Sequence, residues 1–369
     1  VSDVFQTNQT VRRYDDAIIR HAQWIRWVRA ITCPCVNPNT MQPDIRCTMC
    51  KGRGYIYRNP GTFSIKQETA KHNGAGVIIP RYGPVSNPVV WRRGEKLPLT
   101  DPQPDPNVIT LEGPNYPQLY QRMYIDYDFR PVQSITAEEA EVIDTNILRV
   151  VGARFEDQGK QFEGSIEAVT RVENVTKSET YTVSEAIKEY IFLDGMGTYS
   201  DGDVIEVDYT YIRPFRFVLH TVTPAMRYEP SYVSQDTAAT LLVPSWANPA
   251  PNDLFTAMAQ ESPASAVIDP TFTPGDDLIR DYFDLSTIEF VMDKNGTEYT
   301  PGEDVVLIGR NKVHWLVTKP TVAYTIEFTH HPTFSSVKEP QTIRTAENKE
   351  FANKVSLKQY QITNTVQSF

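Results

Sequence analysis

The sequence predicts a mainly β protein: several β-sandwich-like modules with an N-terminal helix and a small four-cysteine zinc-binding segment. Three observations predict it. Aromatic residues are plentiful, 19 Tyr and 16 Phe, and they lie between 27 Pro, as short strands joined by loops require. Three segments alternate apolar and polar residues and end at a proline: Met123–Pro131, Val204–Pro214 and Ala323–Pro332. Period-two alternation marks a strand with one buried face. Helical stretches between strands, which a βαβ enzyme would show repeatedly, are few.

A length of 369 residues allows two to three domains. The expected division is 1–106 (N-terminal helix, cysteine segment and a Pro/Gly-rich region), 107–220 (a β-rich module), 221–335 (a β-sandwich-like module) and 336–369 (a C-terminal tail). The helix is read over 11–31. Val11, Tyr14, Ile18, Ile25 and Val28 recur at three- and four-residue steps or their sum, and Asn8 or Thr10 can cap the start. Trp24, Trp27 and Ile31 widen its apolar stripe. Arg12, Arg13, Arg20, Arg26 and Arg29 crowd the rest, so it suits packing on its own domain or docking into another subunit. Asp101–Pro106 alternates with proline and cannot be a helix interior, which places a boundary there.

In the second alternating segment Ile205, Val207, Tyr209 and Tyr211 face one way, and Glu206 and Asp208 the other. Ser200–Asp203 is a turn signal before it. The last module reads as turn, strand, tight turn, strand, loop, strand. Gly309 and Asn311 suit its hairpin, and Trp315 falls where a strand would bury it. The repetition among the three segments is confined to strand endings. In the tail, Val355, Leu357 and Tyr360 suit one more strand.

Charge is uneven. Residues 1–100 carry 15 Lys+Arg against 6 Asp+Glu, and residues 101–369 carry 21 against 40. A basic head on an acidic body suits docking between subunits, with nucleic-acid binding by the head as the rival reading. No apolar run is long enough to span a membrane. The first residues lack the charged and apolar regions of a secretion signal, which leads to the expectation of a reducing cytoplasm.

All four cysteines lie within eighteen residues, as Cys33-Pro-Cys35 and Cys47-Thr-Met-Cys50, followed by Lys51-Gly52-Arg53-Gly54-Tyr55. A Cys-x-x-Cys turn points two thiolates at one ion, and the glycines give the backbone the freedom to bring N–H groups near the sulfurs. Two pairs make a tetrahedral site with zinc as the usual occupant, so Cys33, Cys35, Cys47 and Cys50 are the expected ligands of a structural zinc. The first pair is tighter than the usual spacing, and two disulfides, four free thiols or an iron–sulfur cluster remain open alternatives. A closed four-cysteine site leaves no position for substrate or water, so its role is structural.

The six histidines form no His-Glu-x-x-His, and no nucleophile elbow, phosphate-binding loop or dinucleotide fingerprint is present. His330-His331 reads as two exposed histidines at a strand end. The pairs Asp126/Asp128 and Glu206/Asp208 read as the solvated faces of strands rather than acid–base machinery. No catalytic or cofactor-binding residue is assigned, and the chain is expected not to be an enzyme.

The segment Cys33 to Tyr57 resembles the N-terminal region of neck or head–tail connector proteins of tailed-phage virions. Tyr299 through Trp315 and Pro320 to Tyr324, Ile326, Phe328 and Pro332 resembles β-modules of phage neck and baseplate proteins. The resemblance implies a virion structural protein, assembled in the host cytoplasm as a ring of its own copies around the DNA channel. Its neighbours would be portal, neck or tail proteins, with DNA only passing through and no membrane contact. The alternatives are a baseplate or other tail structural protein, a zinc-ribbon nucleic-acid-binding protein, and a tail protein that binds or cleaves glycans.

Overall fold

The computed structural model describes residues 20–113, 123–221, 239–337, 341–344 and 350–360. Within these, breaks of one to four residues fall at 51, 71–72, 74, 102, 104, 158–159, 196–198, 201, 271–274 and 280–283. Among the described residues the chain is built of thirty-one strands, and only Arg20 and His21 are α-helical. The mainly β expectation therefore holds. Two compact units form, Pro60–Ser134 and the remainder of the chain.

Pro60–Ser134 holds a four-stranded antiparallel sheet in the order Phe63–Ala70, Met123–Phe129, Val85–Arg92, Glu95–Leu97. A second, two-stranded sheet joins Val77–Ile78 to Ile109–Thr110. Met123, Ile125, Tyr127 and Phe129 are buried, as their alternation demands. The proline-rich stretch 101–106 falls inside this unit. Val85–Arg92 precedes it and Met123–Phe129 follows it, and those two strands are hydrogen-bonded to each other.

In the larger unit, six antiparallel strands close into a barrel. The order is Gln23–Thr32, Phe215–Thr221, Ala239–Pro244, Glu350–Gln359, Thr333–Ser336, Leu254–Ala257, and back to Gln23–Thr32. Closure leaves no free edge among these six. Trp27 is 1% exposed and packs against Phe215, Phe217 and Phe255 with ring centroids 5.5–6.0 Å apart. Its indole N–H donates to Asp253 Oδ2 at 2.8 Å. Val355 and Leu357 of the C-terminal segment are fully buried, so the strand expected there belongs to the barrel.

The N-terminal helix expected over 11–31 is not found. Residues 1–19 lie outside the described residues, and Gln23–Thr32 is a strand. The reason is physical. Trp24, Ile25, Trp27, Val28, Ile31 and Thr32 are β-branched or aromatic, types that suit a pleated, buried surface. Both faces are covered: Ile25 and Trp27 on one side, Arg26 (4% exposed) on the other. A helix-like spacing of apolar residues arises because a doubly buried strand is apolar throughout.

Two sandwiches complete the larger unit. In one, the sheet Glu179–Thr180, Ser165–Asn174, Ile205–Ile212, Val132–Glu139 faces the sheet Glu141–Asp144, Ile147–Arg149, Tyr190–Leu193, Val183–Ile187. Ile166, Val172, Val207 and Tyr209 meet Leu148 and Ile191 in its core. In the other, Ser262–Ile268, Tyr324–His330, Leu285–Asp293, Glu298–Tyr299 faces Asp277–Leu278, Lys312–Trp315, Val305–Ile308. Val291, Ile326 and Phe328 meet Val305 and Val313 there.

These sandwiches and the smaller unit are three copies of one module. The three proline-terminated strands are its final strand each time. Val90 pairs with Ile125, Val172 with Val207, and Val291 with Ile326. Both partners move by 82 residues from first copy to second (90 to 172, 125 to 207) and by 119 from second to third (172 to 291, 207 to 326). The bulged positions follow, between Ser86 and Val89, Val169 and Arg171, and Ile288 and Phe290. Such bulges re-aim a strand at a fixed place and mark a repeated design.

Candidate metal centre

The four cysteines sit in the loop of a hairpin. Gln23–Thr32 pairs with Tyr55–Arg58 up to Thr32↔Tyr55, and the Cys33 amide donates to Gly54 O at 2.9 Å to close the base. Within the loop, Asn37 Oδ1 accepts the Asn39 amide at 2.8 Å, and the Met41 amide donates to Asn37 O at 2.8 Å. Asp44 caps the second turn, accepting the Arg46 amide at 2.8 Å on its carboxylate and the Cys47 amide at 3.1 Å on its carbonyl. These local bonds fold a segment with almost no apolar core.

All four sulfurs lie within 4.8 Å of one another. Contacts cross between the pairs: Cys33 Sγ to Cys47 Sγ is 3.7 Å, and Cys35 Sγ to Cys50 Sγ is 3.3 Å. The tight Cys33-Pro-Cys35 spacing is thereby accommodated, because each member faces the second pair. Cys33 and Cys50 are buried and all four thiols are free. The cluster can hold one metal ion through four thiolates.

Glycine is required at two positions here. Gly52 (φ +81°) lies against the Ile45 backbone, where an added Cβ would meet Ile45 Cα at 3.3 Å. Gly54 (φ +82°) brings its N–H to Cys50 Sγ at 3.4 Å. Burial opposes ionisation of Cys50. The Gly54 amide and the neighbouring thiols outweigh it, and the Cys50 thiol comes down to about 7. Burial and the Cys50 thiol push Cys35 up to about 12. One thiolate is thus available near neutral pH, and an entering cation displaces the remaining protons.

Arg53 buttresses the loop. Its Nε donates to Cys50 O at 3.2 Å, and its guanidinium lies 5.6 Å from the Tyr57 ring and 6.0 Å from the Tyr55 ring. Tyr57 packs in turn with Val28, Leu254 and Tyr360, which fixes the loop to the end of the barrel.

The other residues singled out from sequence make local hydrogen bonds and ion pairs. Asp128 accepts from Asn87 at 3.1 Å, and Asp126 from the Gln67 amide at 2.7 Å. Asp208 takes Arg171 Nε at 2.8 Å and Glu206 takes Arg171 Nη2 at 3.3 Å. His330-His331 is not an exposed pair: His331 is 8% exposed and its Nδ1 lies 2.9 Å from Gln260 O.

Sequence reasoning missed a charged junction. Asp284 is fully buried, paired with Arg26 of the barrel, and 2.7 Å from Lys188 Nζ of the second module. Burial would raise the Asp284 carboxyl, but Arg26, Lys188, Arg310 and His331 outweigh it and hold it far below its usual range. Burial and the Arg26 charge bring Arg310 down to about 10. The one signal in the sequence was an arginine inside the apolar run Trp24–Val28.

No protein-family model matches the chain. A search of curated proteins likewise gives no significant match. Among the described residues no helix is long and apolar enough to cross a membrane.

Proposed function

We propose that this chain is a non-catalytic structural component of a tailed-phage particle, placed in the neck and assembled as a ring of its copies around the DNA channel, with a structural zinc at Cys33, Cys35, Cys47 and Cys50. The observation that carries the structural role is the closed thiol cluster. Thiolates about 2.3 Å from a tetrahedral zinc stand about 3.8 Å apart, and the sulfurs here lie within 4.8 Å of one another. Four protein ligands fill the zinc shell, so its chemistry would be to hold the hairpin loop together rather than to activate water.

Two features support the particle assignment. The Cys33–Tyr57 segment resembles neck connector proteins. The rest of the described chain is a barrel and repeated β-modules, in keeping with a structural role.

Native mass spectrometry of the purified chain, with and without a strong chelator, tests this. The expected result is one zinc per chain in a ring-sized oligomer. A metal-free chain with four intact thiols would overturn the zinc, and a zinc-bound monomer that binds DNA in a salt-dependent way would favour the nucleic-acid reading.

A further inference from the structure

Four of the eleven exposed large apolar side chains among the described residues fall in Ile31–Met49. They are Ile31, Met41, Ile45 and Met49, with exposures of 44, 70, 81 and 57%. Single exposed apolar residues are ordinary, but a group on one small loop is not. The loop is built to present them. The Ile45 backbone rests on Gly52, which turns its side chain outward, and Met41 is held at φ +56°, a conformation rare outside glycine and asparagine. Arg46 is exposed beside Ile45. Residues 29–58 contain five basic residues (Arg29, Arg46, Lys51, Arg53, Arg58) and one acidic residue, Asp44.

A matching surface lies on the outer face of the third module. Cross-strand pairing puts Val267 opposite Thr325, Ser265 opposite Glu327, and Phe290 on the other side of Glu327. Val267 is 74% exposed, Phe290 and Met292 are half-buried, and Glu289 and Glu327 are exposed. The second module differs at the corresponding position. There Arg171 (171 plus 119 gives 290) neutralises Glu206 and Asp208. The third module has Phe290 in its place, and Glu327 has no ion pair among the described residues. The face is apolar with uncompensated negative charge, complementary to an apolar tip carrying a positive one.

We infer that the cysteine loop of one copy docks on this outer face of a second copy, with Met41, Ile45 and Met49 against Val267, Phe290 and Met292, and Arg46 beside Glu327. The inference rests on the ring reading above and names its contact. Two different patches on each copy make a head-to-tail interface, the type that builds a ring when its rotation closes. Opposite charges set the register, and the apolar side chains supply the burial.

The test uses the full chain loaded with zinc. Oligomer mass is followed by native mass spectrometry and by light scattering across a dilution series, for wild type, Arg46→Glu, Glu327→Lys and the double variant. Both substituted residues are exposed, and zinc content with far-ultraviolet circular dichroism confirms the fold. Each single reversal is expected to weaken assembly about tenfold, and the double variant to recover most of the loss. Val267→Asp is expected to abolish assembly with zinc retained. If wild type forms rings and the single variants and Val267→Asp form them equally well, the docking contact is wrong while the ring reading stands. If zinc-loaded wild type stays monomeric throughout, the ring reading fails and takes the contact with it.

Discussion

Tyr127 and Tyr209 occupy the same place in two copies of the module, and each donates its phenol hydroxyl to a glutamate on the module's first strand, Glu68 and Glu138 respectively. Each glutamate also accepts loop amides: Arg81 N at 3.0 Å on Glu68, and Val151 N and Gly152 N at 2.7 Å on Glu138. One residue earlier, Gln67 (φ 55°) and Ala137 (φ 53°) turn their N–H groups to Asp126 and Asp208, both at 2.7 Å. In the third copy the tyrosine's place belongs to Phe328 (209 plus 119), and Ser262–Ile268 has no positive-φ residue. Hydroxyl, carboxylate and bulge are absent together, as expected of a unit whose parts satisfy one another.

Glu138→Ala is therefore expected to cost more than Tyr209→Phe. The first removes the acceptor of the Tyr209 hydroxyl and of two exposed loop amides, about 1–3 kcal/mol, and the second removes one hydroxyl, about 1 kcal/mol. Urea denaturation of the two variants checks the order. Equal losses would mean that Glu138 contributes nothing through the Val151 and Gly152 amides beyond what it gives the Tyr209 hydroxyl.

Asp284→Asn removes the carboxylate that, among the described residues, pairs with both Arg26 and Lys188 at the buried junction. Breaking such a pair from one side costs about 3–5 kcal/mol. The Asp284 carboxyl is depressed in the folded chain, so its contribution is complete above the unfolded value of about 3.9 and is lost as pH falls through the lower folded value. The stability gap between wild type and Asp284→Asn should stay constant from pH 7 to about 4 and shrink below that. A gap that narrows already between pH 7 and 5 would contradict this assignment.

His314 behaves in the opposite sense. Its Nδ1 lies 2.7 Å from Asp276 and its Nε2 2.9 Å from Asp144, so only the doubly protonated ring satisfies both carboxylates. The Asp276 hydrogen bond, partly opposed by burial, raises the imidazole above its usual value. The stabilisation is complete below the unfolded value of about 6.5 and is lost as pH rises through the folded one. His314→Gln should flatten that decline between pH 6 and 9 in denaturation series. An unchanged slope would remove His314 as its source.

If the cluster holds the proposed zinc, Cys47→Ser and Cys50→Ser should each cut bound zinc sharply from one per chain, because three thiolates no longer close the shell. Zinc content by atomic emission, with melting followed alongside, measures this. Lowering the pH toward 5 should release the metal from wild type as protons compete for the thiolates. Full zinc occupancy in both serine variants would place the metal elsewhere.

The strands whose alternation was unbroken were legible, because a sheet with one wet face writes its period directly into the sequence. Met123–Phe129, Ile205–Ile212 and Tyr324–His330 all bury their alternate residues. The cysteine cluster was legible for a different reason: all four thiols come from one local loop. What failed was non-local. Gln23–Thr32 is covered by segments more than 130 residues away, so nothing in its own sequence separated strand from helix. The full extent of the repeat was hidden because pairing register and bulges, rather than residue identity, are what the three copies share. Asp284 was unreadable because its partners Arg26 and Lys188 stand 258 and 96 positions away.

The barrel joins Gln23–Thr32 to strands from the middle of the chain and to Glu350–Gln359. During synthesis the three modules can fold as each leaves the ribosome, but the barrel cannot shut until residue 359 has emerged. Its opening strand waits through most of translation with Trp27 uncovered. A chain terminated before that strand would carry an open sheet edge and a bared aromatic cluster, the features that quality control binds. Closure of the barrel thus depends on the last strand placed in it, Glu350–Gln359.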